Sequence, residues 1–179
     1  MLSHILVAID QSASSQRAFE TALDLAKALE AKLTLVHVLD VFDPASPERP
    51  KMSGSSYSIE LDNLLRDNYE RQWAEFATHY DSLLKQKQEK AEAIAVSASC
   101  LQPYGRPGPA ICKAAREGQA ELIVVGSHGR KGLSEMILGS VSNYIVHHAP
   151  CSVMVIHPDS RRHPRSLAEP SELRSAVMS

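Results

Sequence analysis

The chain has 179 residues, of which 44% are hydrophobic and 22% charged, a composition that suits one globular domain with a single core. A formal net charge of -2 and an isoelectric point near 6.4 argue against nucleic acid as the main partner. The longest apolar runs are too short to cross a bilayer, and three widely spaced cysteines suit reduced thiols in a cytoplasm. We therefore expect a cytoplasmic protein whose partners include neither a membrane nor nucleic acid.

The amino-terminal part of the chain has the pattern of a strand–helix–strand unit followed by a loop. The continuous apolar run Ile5–Ile9 predicts a strand buried on both faces, and Asp10 ends it. Small and apolar residues then recur at helical spacing from 18 to 29, and Leu33–Leu39 predicts a second strand. Prolines and serines fill Asp40–Ser58, which predicts a mobile loop.

A long helix follows, because apolar residues recur along one stripe of a continuous helical pattern. We expect this stripe to lie in the core. It consists of Leu61, Leu64, Leu65, Trp73, Phe76, Tyr80, Leu83 and Leu84. The lysine-rich segment Lys85–Lys90 suits the negative end of the helix dipole. Larger and smaller residues then alternate from 94 to 100, which predicts a half-exposed outer strand.

The second half of the chain predicts four more elements and a tail. They are a short helix over Pro107–Gly118, a buried strand over Leu122–Val125, a helix over Ser140–His148 and a final strand over Ser152–Ile156. Residues 158–179 are polar and contain three prolines, so we expect a disordered tail. We therefore predict one domain over residues 1–157, which includes the loop at 40–58.

Five strands that alternate with helices predict an α/β fold: one doubly wound, five-stranded parallel sheet with helices on both faces, of the Rossmann-like type. Such a sheet commonly has the strand order 3-2-1-4-5, which reverses between the first and fourth strands. Ligands bind beyond the carboxyl ends of the strands at that reversal. The residues delivered there are Asp10 and Gly126.

A glycine pattern marks the same place. Gly126-Ser127-His128-Gly129 is followed, after nine residues, by Gly139-Ser140. A glycine directly after a buried strand lets the backbone turn sharply and approach a ligand closely. Gly139 and Ser140 begin the predicted helix, whose free N–H groups and positive dipole end favour an anion. The spacing therefore predicts a site for a phosphate-bearing ligand.

The pattern G-x2-G-x9-G-[ST] is similar to the nucleotide-binding signature of the ATP-binding branch of the universal stress protein family. The opening Ile5–Asp10 with Ser12, the segment Val36-His37-Val38, and the closing run from His148 to Val153 also resemble that family. The resemblance covers roughly residues 2 to 156. It implies the adenine nucleotide alpha hydrolase-like fold and ATP or AMP as ligand, with or without Mg²⁺ on the phosphates.

The resemblance also implies a role for each matching position. Ala8 and Val125 would line the base, the backbone of Val38 would contact the adenine edge, and Asp10 would lie near the adenine and ribose. Ile9, between Ala8 and Asp10, is counted among the residues that bind the nucleotide. Gly126 and Gly129 match the ribose and phosphate loop. The phosphate-binding helix start is matched by Gly139, Ser140, Val141 and Ser142. By their chemistry alone, His128 could donate to ribose or phosphate, and Arg130 could steer phosphates or be a solvated surface charge.

Simpler roles remain open for some of these residues. Asp10 could be the N-cap of the first helix, and His128 could be an exposed loop residue. His147 and His148 are adjacent, so on a helix they point about 100 degrees apart and make poor paired metal ligands. We therefore predict no metal site built from protein side chains.

The function that these observations predict is a nucleotide-binding regulatory protein of the stress response. We assign no catalytic residue, because nothing in the motif supplies a general base aimed at a γ-phosphate. Two alternatives remain: a slow ATPase or autophosphorylating protein, and a dimeric interaction module with a vestigial pocket. The loop at 40–58 would leave the rim of the site and could fold over the ligand as a lid.

The final strand predicts a homodimer. Ser152–Ile156 would lie at one edge of the sheet, with no proline and no charge to keep another strand from pairing with it. Two copies of this strand related by a two-fold axis would pair antiparallel and satisfy each other's backbone groups.

Overall fold

The computed structural model describes residues 2–50, 59–127 and 138–157. Within these ranges the chain forms five strands and four helices in alternating order. They are β1 (His4–Ala8), α1 (Ala13–Leu29), β2 (Lys32–Val36), α2 (Ile59–Glu92), β3 (Ala98–Leu101), α3 (Pro107–Glu117), β4 (Leu122–Gly126), α4 (Ser140–His148) and β5 (Ser152–Ile156). The predicted tail, 158–179, lies outside the described residues.

The five strands form one parallel sheet in the order β3-β2-β1-β4-β5, as the sequence predicts. The central strand β1 pairs with β2 on one side and with β4 on the other, so Ile5 lies opposite both Leu33 and Leu122. Helices α1 and α2 cover one face, and α3 and α4 cover the other. The order reverses beside β1, which opens a crevice above β1 and β4.

The predicted second strand is too long: β2 ends at Val36, not at Leu39. Beyond Val36, the chain still forms backbone hydrogen bonds on the side of β3. The His37 N–H donates to Leu101 O at 3.1 Å, and the Leu39 N–H donates to Pro103 O at 2.9 Å. On its β1 side the last backbone bond runs from Ile9 N–H to Val36 O at 2.7 Å. β1 and the continuation of β2 therefore separate at His37, next to the crevice.

The predicted third strand is displaced along the chain. Helix α2 continues to Glu92, and β3 occupies Ala98–Leu101 instead of residues 94–100. A tight turn connects them, in which Ala95 has a φ of 64° and the Val96 N–H donates to Ala91 O at 3.0 Å. Ile94 packs against the core from this turn rather than from a strand.

The expectation that the whole apolar stripe of α2 lies in the core is wrong for its first half. A 34-residue helix is about 51 Å long, whereas a five-residue strand spans only about 17 Å. Only the second half of α2 therefore lies over the sheet. Its buried residues are Tyr80, Leu84, Lys87 and Ala91. Near the other end, Leu61 is 52% exposed and Leu64 is 65% exposed.

A buried histidine connects β1 to β2 and to the end of α3. The side chain of His4 on β1 contacts Gly118 O through Nδ1 at 2.9 Å and the Thr34 hydroxyl through Nε2 at 2.8 Å. Because a carbonyl only accepts, Nδ1 carries the proton, and Nε2 accepts from Thr34. Burial lowers the pKa of His4 below its ordinary value near 6.5, and the Lys32 cation lowers it further, against smaller opposite effects of the Gly118 and Gln119 backbone and of Glu121.

We expect this histidine to make the fold less stable as the solution is acidified. The folded state holds the imidazole neutral, so the unfolded chain binds more protons below pH 6.5. The stabilisation is complete above about pH 6.5 and is lost as the pH falls toward the lower folded-state pKa, at a slope of at most about 1.4 kcal/mol per pH unit. Urea unfolding at pH 7, 6 and 5 should show a shallower dependence for His4→Gln than for the parent. An equal dependence in both proteins would contradict the expectation, and exposed His147→Gln serves as the control.

Candidate functional site

A cavity of about 600 Å³ opens at the carboxyl ends of β1, β2 and β4. This is the position at which the strand order reverses. Ten of the residues that the sequence predicts for a site line this cavity. They are Ala8, Ile9, Asp10, Val38, Val125, Gly126, Gly139, Ser140, Val141 and Ser142. The remaining three predicted residues, His128, Gly129 and Arg130, lie outside the described residues.

The walls at the sheet end of the cavity are apolar. They are formed by residues at the ends of β1, β2 and β4 together with Ile111 of α3. These residues are Ala8, Val36, Val38, Ile111 and Val125. A flat heterocycle buried between such walls would gain hydrophobic stabilisation, and specificity would then depend on a few polar groups.

One backbone edge supplies such polar groups. The amides of His37 and Leu39 face β3, so the amide and carbonyl of Val38 between them face the opposite side, toward the cavity. Neither the N–H nor the C=O of Val38 has a hydrogen-bond partner in the part of the chain that the structure describes. The cavity therefore presents one donor and one acceptor side by side on an apolar wall.

Asp10 lines the cavity directly after β1. Its Oδ1 accepts from the Ser12 N–H at 2.8 Å and from the Ser12 hydroxyl at 2.5 Å, while its own N–H donates to Ser15 Oγ at 2.8 Å. The N-cap of α1 is Ser12, whose hydroxyl accepts from the Ser15 N–H at 3.1 Å. The alternative of Asp10 as N-cap is therefore wrong. Its Oδ2 has no partner among the described residues, so it can accept from a ligand hydroxyl.

The amino end of α4 lies at the other side of the cavity. Gly139 is its N-cap, and no side chain caps the helix. The first bond of the helical type runs from Asn143 N–H to Gly139 O at 2.9 Å, which leaves the N–H groups of the three residues before Asn143 without a partner among the described residues. These groups and the helix dipole make an anion-binding end.

The hydroxyls of the two serines at this helix start differ in availability. Ser142 is buried, and its hydroxyl contacts Ser127 O at 2.9 Å and Gly139 O at 3.0 Å, both carbonyl acceptors. Its hydroxyl therefore holds the loop to the helix instead of serving a ligand. Ser140 is exposed at the cavity and is the serine whose hydroxyl can contact an anion.

Gly126 has a tighter structural constraint than the sequence suggests. A Cβ at this position would lie 2.5 Å from Ser14 Oγ and 2.9 Å from the Ser14 carbonyl carbon. The first turn of α1 therefore packs directly on the glycine. Gly126 therefore has two roles: it leaves room for Ser14 of α1, and it forms part of the cavity wall. The sequence pattern indicated only the second role.

The loop after β2 contributes residues that sequence reasoning did not single out. Asp40, Phe42, Asp43, Pro44 and Ala45 line the cavity. Two local turns shape them: Asp40 Oδ1 accepts from the Phe42 N–H at 3.0 Å, and Asp43 Oδ1 accepts from the Ala45 N–H at 2.8 Å. The Arg106 guanidinium lies 5.0 Å from the centre of the Phe42 ring.

Residues 2–50, 59–127 and 138–157 contain no group of three or more His, Cys, Asp or Glu side chains arranged to hold a metal ion. In the same ranges, no helix has the length and hydrophobicity needed to span a bilayer.

Comparison with known proteins agrees with the geometry. Residues 1–157 match the model of the universal stress protein family. The chain belongs to the universal stress protein family. It is 30% identical over 152 residues to the universal stress protein Sll1388 of a Synechocystis strain. The matched region covers 85% of this chain and 96% of that protein.

Solved structures of this family share the fold. The universal stress protein UspA from Lactobacillus plantarum has a TM-score of 0.65 and 28% identity, with 87% of this chain and 97% of that chain covered. A universal stress protein family member from Arabidopsis thaliana, solved with AMP bound, has a TM-score of 0.57 and 22% identity. The match covers 92% of this chain and 97% of that chain.

Proposed function

We propose that this universal stress protein is a cytoplasmic regulatory protein that binds an adenine nucleotide, ATP or AMP, in the cavity above β1 and β4. The observation that carries the proposal is the pairing of two features in one cavity: the open Val38 edge on an apolar wall, and the uncapped start of α4. The AMP that is bound in the structure of the Arabidopsis family member supports the ligand class. The three cysteines, all free thiols, support the location.

Each part of the nucleotide has a counterpart in the cavity. The N–H of Val38 would donate to adenine N1, and its C=O would accept from the N6 amine. Guanine presents the reverse pattern at these two positions and would leave both groups unsatisfied, which costs affinity. The free carboxylate oxygen of Asp10 would accept from a ribose hydroxyl. The phosphates would lie at the first N–H groups of α4, beside Ser140.

We propose binding without efficient turnover. The cavity carboxylates are held in local hydrogen bonds: Asp10 to Ser12, Asp40 to the Phe42 amide and Asp43 to the Ala45 amide. Asp10 would lie beside the base and ribose, too far from a terminal phosphate to activate a water there. The alternative is a slow ATPase or autophosphorylating protein, with Mg²⁺ on the phosphates.

A charge placed at the start of α4 tests the proposal. Ser140→Glu should lower the affinity for ATP at least about tenfold, because a carboxylate occupies the position proposed for the phosphates. The same carboxylate should leave the free energy of unfolding equal or slightly higher, since a negative charge at a helix amino end is favourable. Calorimetric titration with ATP, AMP and GTP, together with urea unfolding, measures both effects. Phosphate released during the titration separates binding from slow hydrolysis.

Asn143→Glu is the matched control, because it adds the same charge to an exposed position of the same helix outside the cavity. It should keep ATP affinity within about threefold of the parent. A parent protein that binds none of the three nucleotides would refute the proposed function. Equal affinity of the parent and Ser140→Glu for ATP would refute the proposed phosphate position.

We also propose that the protein is a homodimer that pairs through β5. Of the two edge strands, β3 is covered by α2: the Gln88 amide donates to Ala98 O at 3.1 Å, on the outer side of the sheet. At the other edge, Ser127 N–H donates to Ile156 O at 2.7 Å, which fixes the alternation of β5. The backbone groups of Val153 and Val155 therefore face outward, away from β4. An interaction module with a vestigial pocket would share this dimer but not the nucleotide.

A further inference from the structure

His37 lies where β1 and β2 separate, and its side chain makes a contact that a regular sheet would not need. It is buried, and its Nδ1 lies 2.8 Å from the carbonyl oxygen of Ile9. Because a carbonyl only accepts, the imidazole donates from Nδ1. The ring stacks on Tyr80 of α2, with centroids 3.6 Å apart and planes 8° apart. Its orientation is therefore held by a fully buried aromatic residue.

The acceptor that His37 occupies has a defined place in the ladder between the two strands. The Ile9 N–H donates to Val36 O, which is the last β1–β2 backbone bond. In a parallel ladder with this register, the next bond would run from the Val38 N–H to the Ile9 carbonyl. The imidazole takes that acceptor instead. The side chain of His37 thus replaces the next rung of the ladder.

This contact of His37 affects the backbone groups of the next residue, Val38. Val38 keeps its N–H and C=O directed toward the cavity, without a partner among the described residues, while His37 and Leu39 remain bonded to β3. If the imidazole were absent, the Ile9 carbonyl would need another donor, and the Val38 N–H is the nearest one in register. The strands would then close on each other at the wall of the cavity.

We propose that His37 is a positioning residue that sets the base selectivity of the site. By donating to the Ile9 carbonyl it withholds that acceptor from Val38, and so keeps the Val38 N–H available to N1 of an adenine. This inference rests on the proposed function, because it concerns the same adenine edge. It assigns selectivity to a side chain that need not touch the base itself.

Two variants separate this role from simple packing. His37→Phe keeps a flat ring to stack on Tyr80 but removes the donor, whereas His37→Asn keeps an N–H near the position of Nδ1. The ligands are ATP and inosine triphosphate, which share ribose and phosphates. Inosine carries a donor at N1 and an oxygen at C6, so it reverses the pattern that Val38 reads. The ratio of the two dissociation constants therefore reports the base edge alone.

We expect the parent to prefer ATP over inosine triphosphate at least about tenfold, the size of one mismatched polar pair. His37→Phe should lower this preference to about threefold or less, and His37→Asn should restore most of it. A His37→Phe protein as selective as the parent would overturn the inference. Equal weakening of both ligands by both variants, with selectivity unchanged, would overturn it as well. A parent that binds neither ligand would refute the proposed function itself.

Amide hydrogen exchange of the parent gives a test that does not depend on how the variants fold. Without ligand, the Val38 amide should exchange quickly although Val36 and Leu39 beside it are buried. ATP should slow this amide at least about tenfold, and inosine triphosphate should not. A Val38 amide already protected in the free protein would overturn the inference, since its N–H would then have a partner.

Discussion

Gly126→Val is expected to lower the free energy of unfolding by at least about 2 kcal/mol and to give little soluble folded protein. The added Cβ would lie 2.5 Å from Ser14 Oγ and 2.9 Å from the Ser14 carbonyl carbon, and the second of these atoms belongs to the backbone. The clash with Ser14 can therefore be removed only if α1 moves away from the end of β4. Urea unfolding followed by circular dichroism measures the loss.

The glycine pattern alone indicates only that the backbone turns sharply and approaches a ligand at this position. The contact with Ser14 adds a cost to the fold itself. Gly139→Ala is the matched control, since Gly139 has a φ of -61°, which any residue adopts, and it should unfold like the parent. A Gly126→Val protein as stable as the parent would show that α1 moves freely at this point.

Val155→Lys is expected to convert the proposed dimer into a monomer at micromolar concentration. In an antiparallel pair of β5 strands, the two-fold axis brings the same short segment of both copies together, so the two added ammonium groups lie on the same face of the pair and near each other. Like charges opposite each other destabilise strand pairing, and lysine at an edge strand opposes association. Light scattering over a dilution series, with circular dichroism to check the fold, measures the change.

Leu101→Lys is the control for this experiment. Leu101 is 43% exposed on β3, the opposite edge strand, so the variant introduces the same charge at an edge that α2 already covers. It should remain a dimer. A parent that is monomeric at all concentrations would refute the dimer, and a dimeric Val155→Lys protein would locate the interface elsewhere.

Much of the fold was predictable from local patterns. Short apolar runs such as Ile5–Ile9 and Leu122–Val125 can only be buried on both faces, which requires a parallel sheet between helical layers. Alternation of strands and helices then restricts the strand order, and the observed order agrees. The carboxyl ends of the central strands follow from that order, which predicted Asp10 and Gly126 at the cavity. The glycine pattern and the family resemblance supplied the other eight predicted residues that line it.

The errors have a common physical origin, since they arise where one element ends against another. The stripe of α2 looks equally apolar along its length, but a short sheet can cover only half of so long a helix, and Leu61 and Leu64 extend beyond it. The run through Leu39 reads as one strand, yet β2 ends at Val36, and the side chain of His37 contacts the carbonyl that the next rung of the ladder would use. Neither limit is encoded in hydrophobic periodicity.

The sequence by itself predicted the class of fold, the position of the cavity and the family, because each depends on spacing within a few turns or strands. Only the tertiary structure decided which atoms face the cavity. It showed that Ser12, not Asp10, caps α1, and that Ser14 of α1 packs directly on Gly126. It also showed that Val38 has a backbone N–H and C=O without a partner among the described residues. These facts depend on contacts between segments far apart in the chain, whose geometry local propensity does not specify.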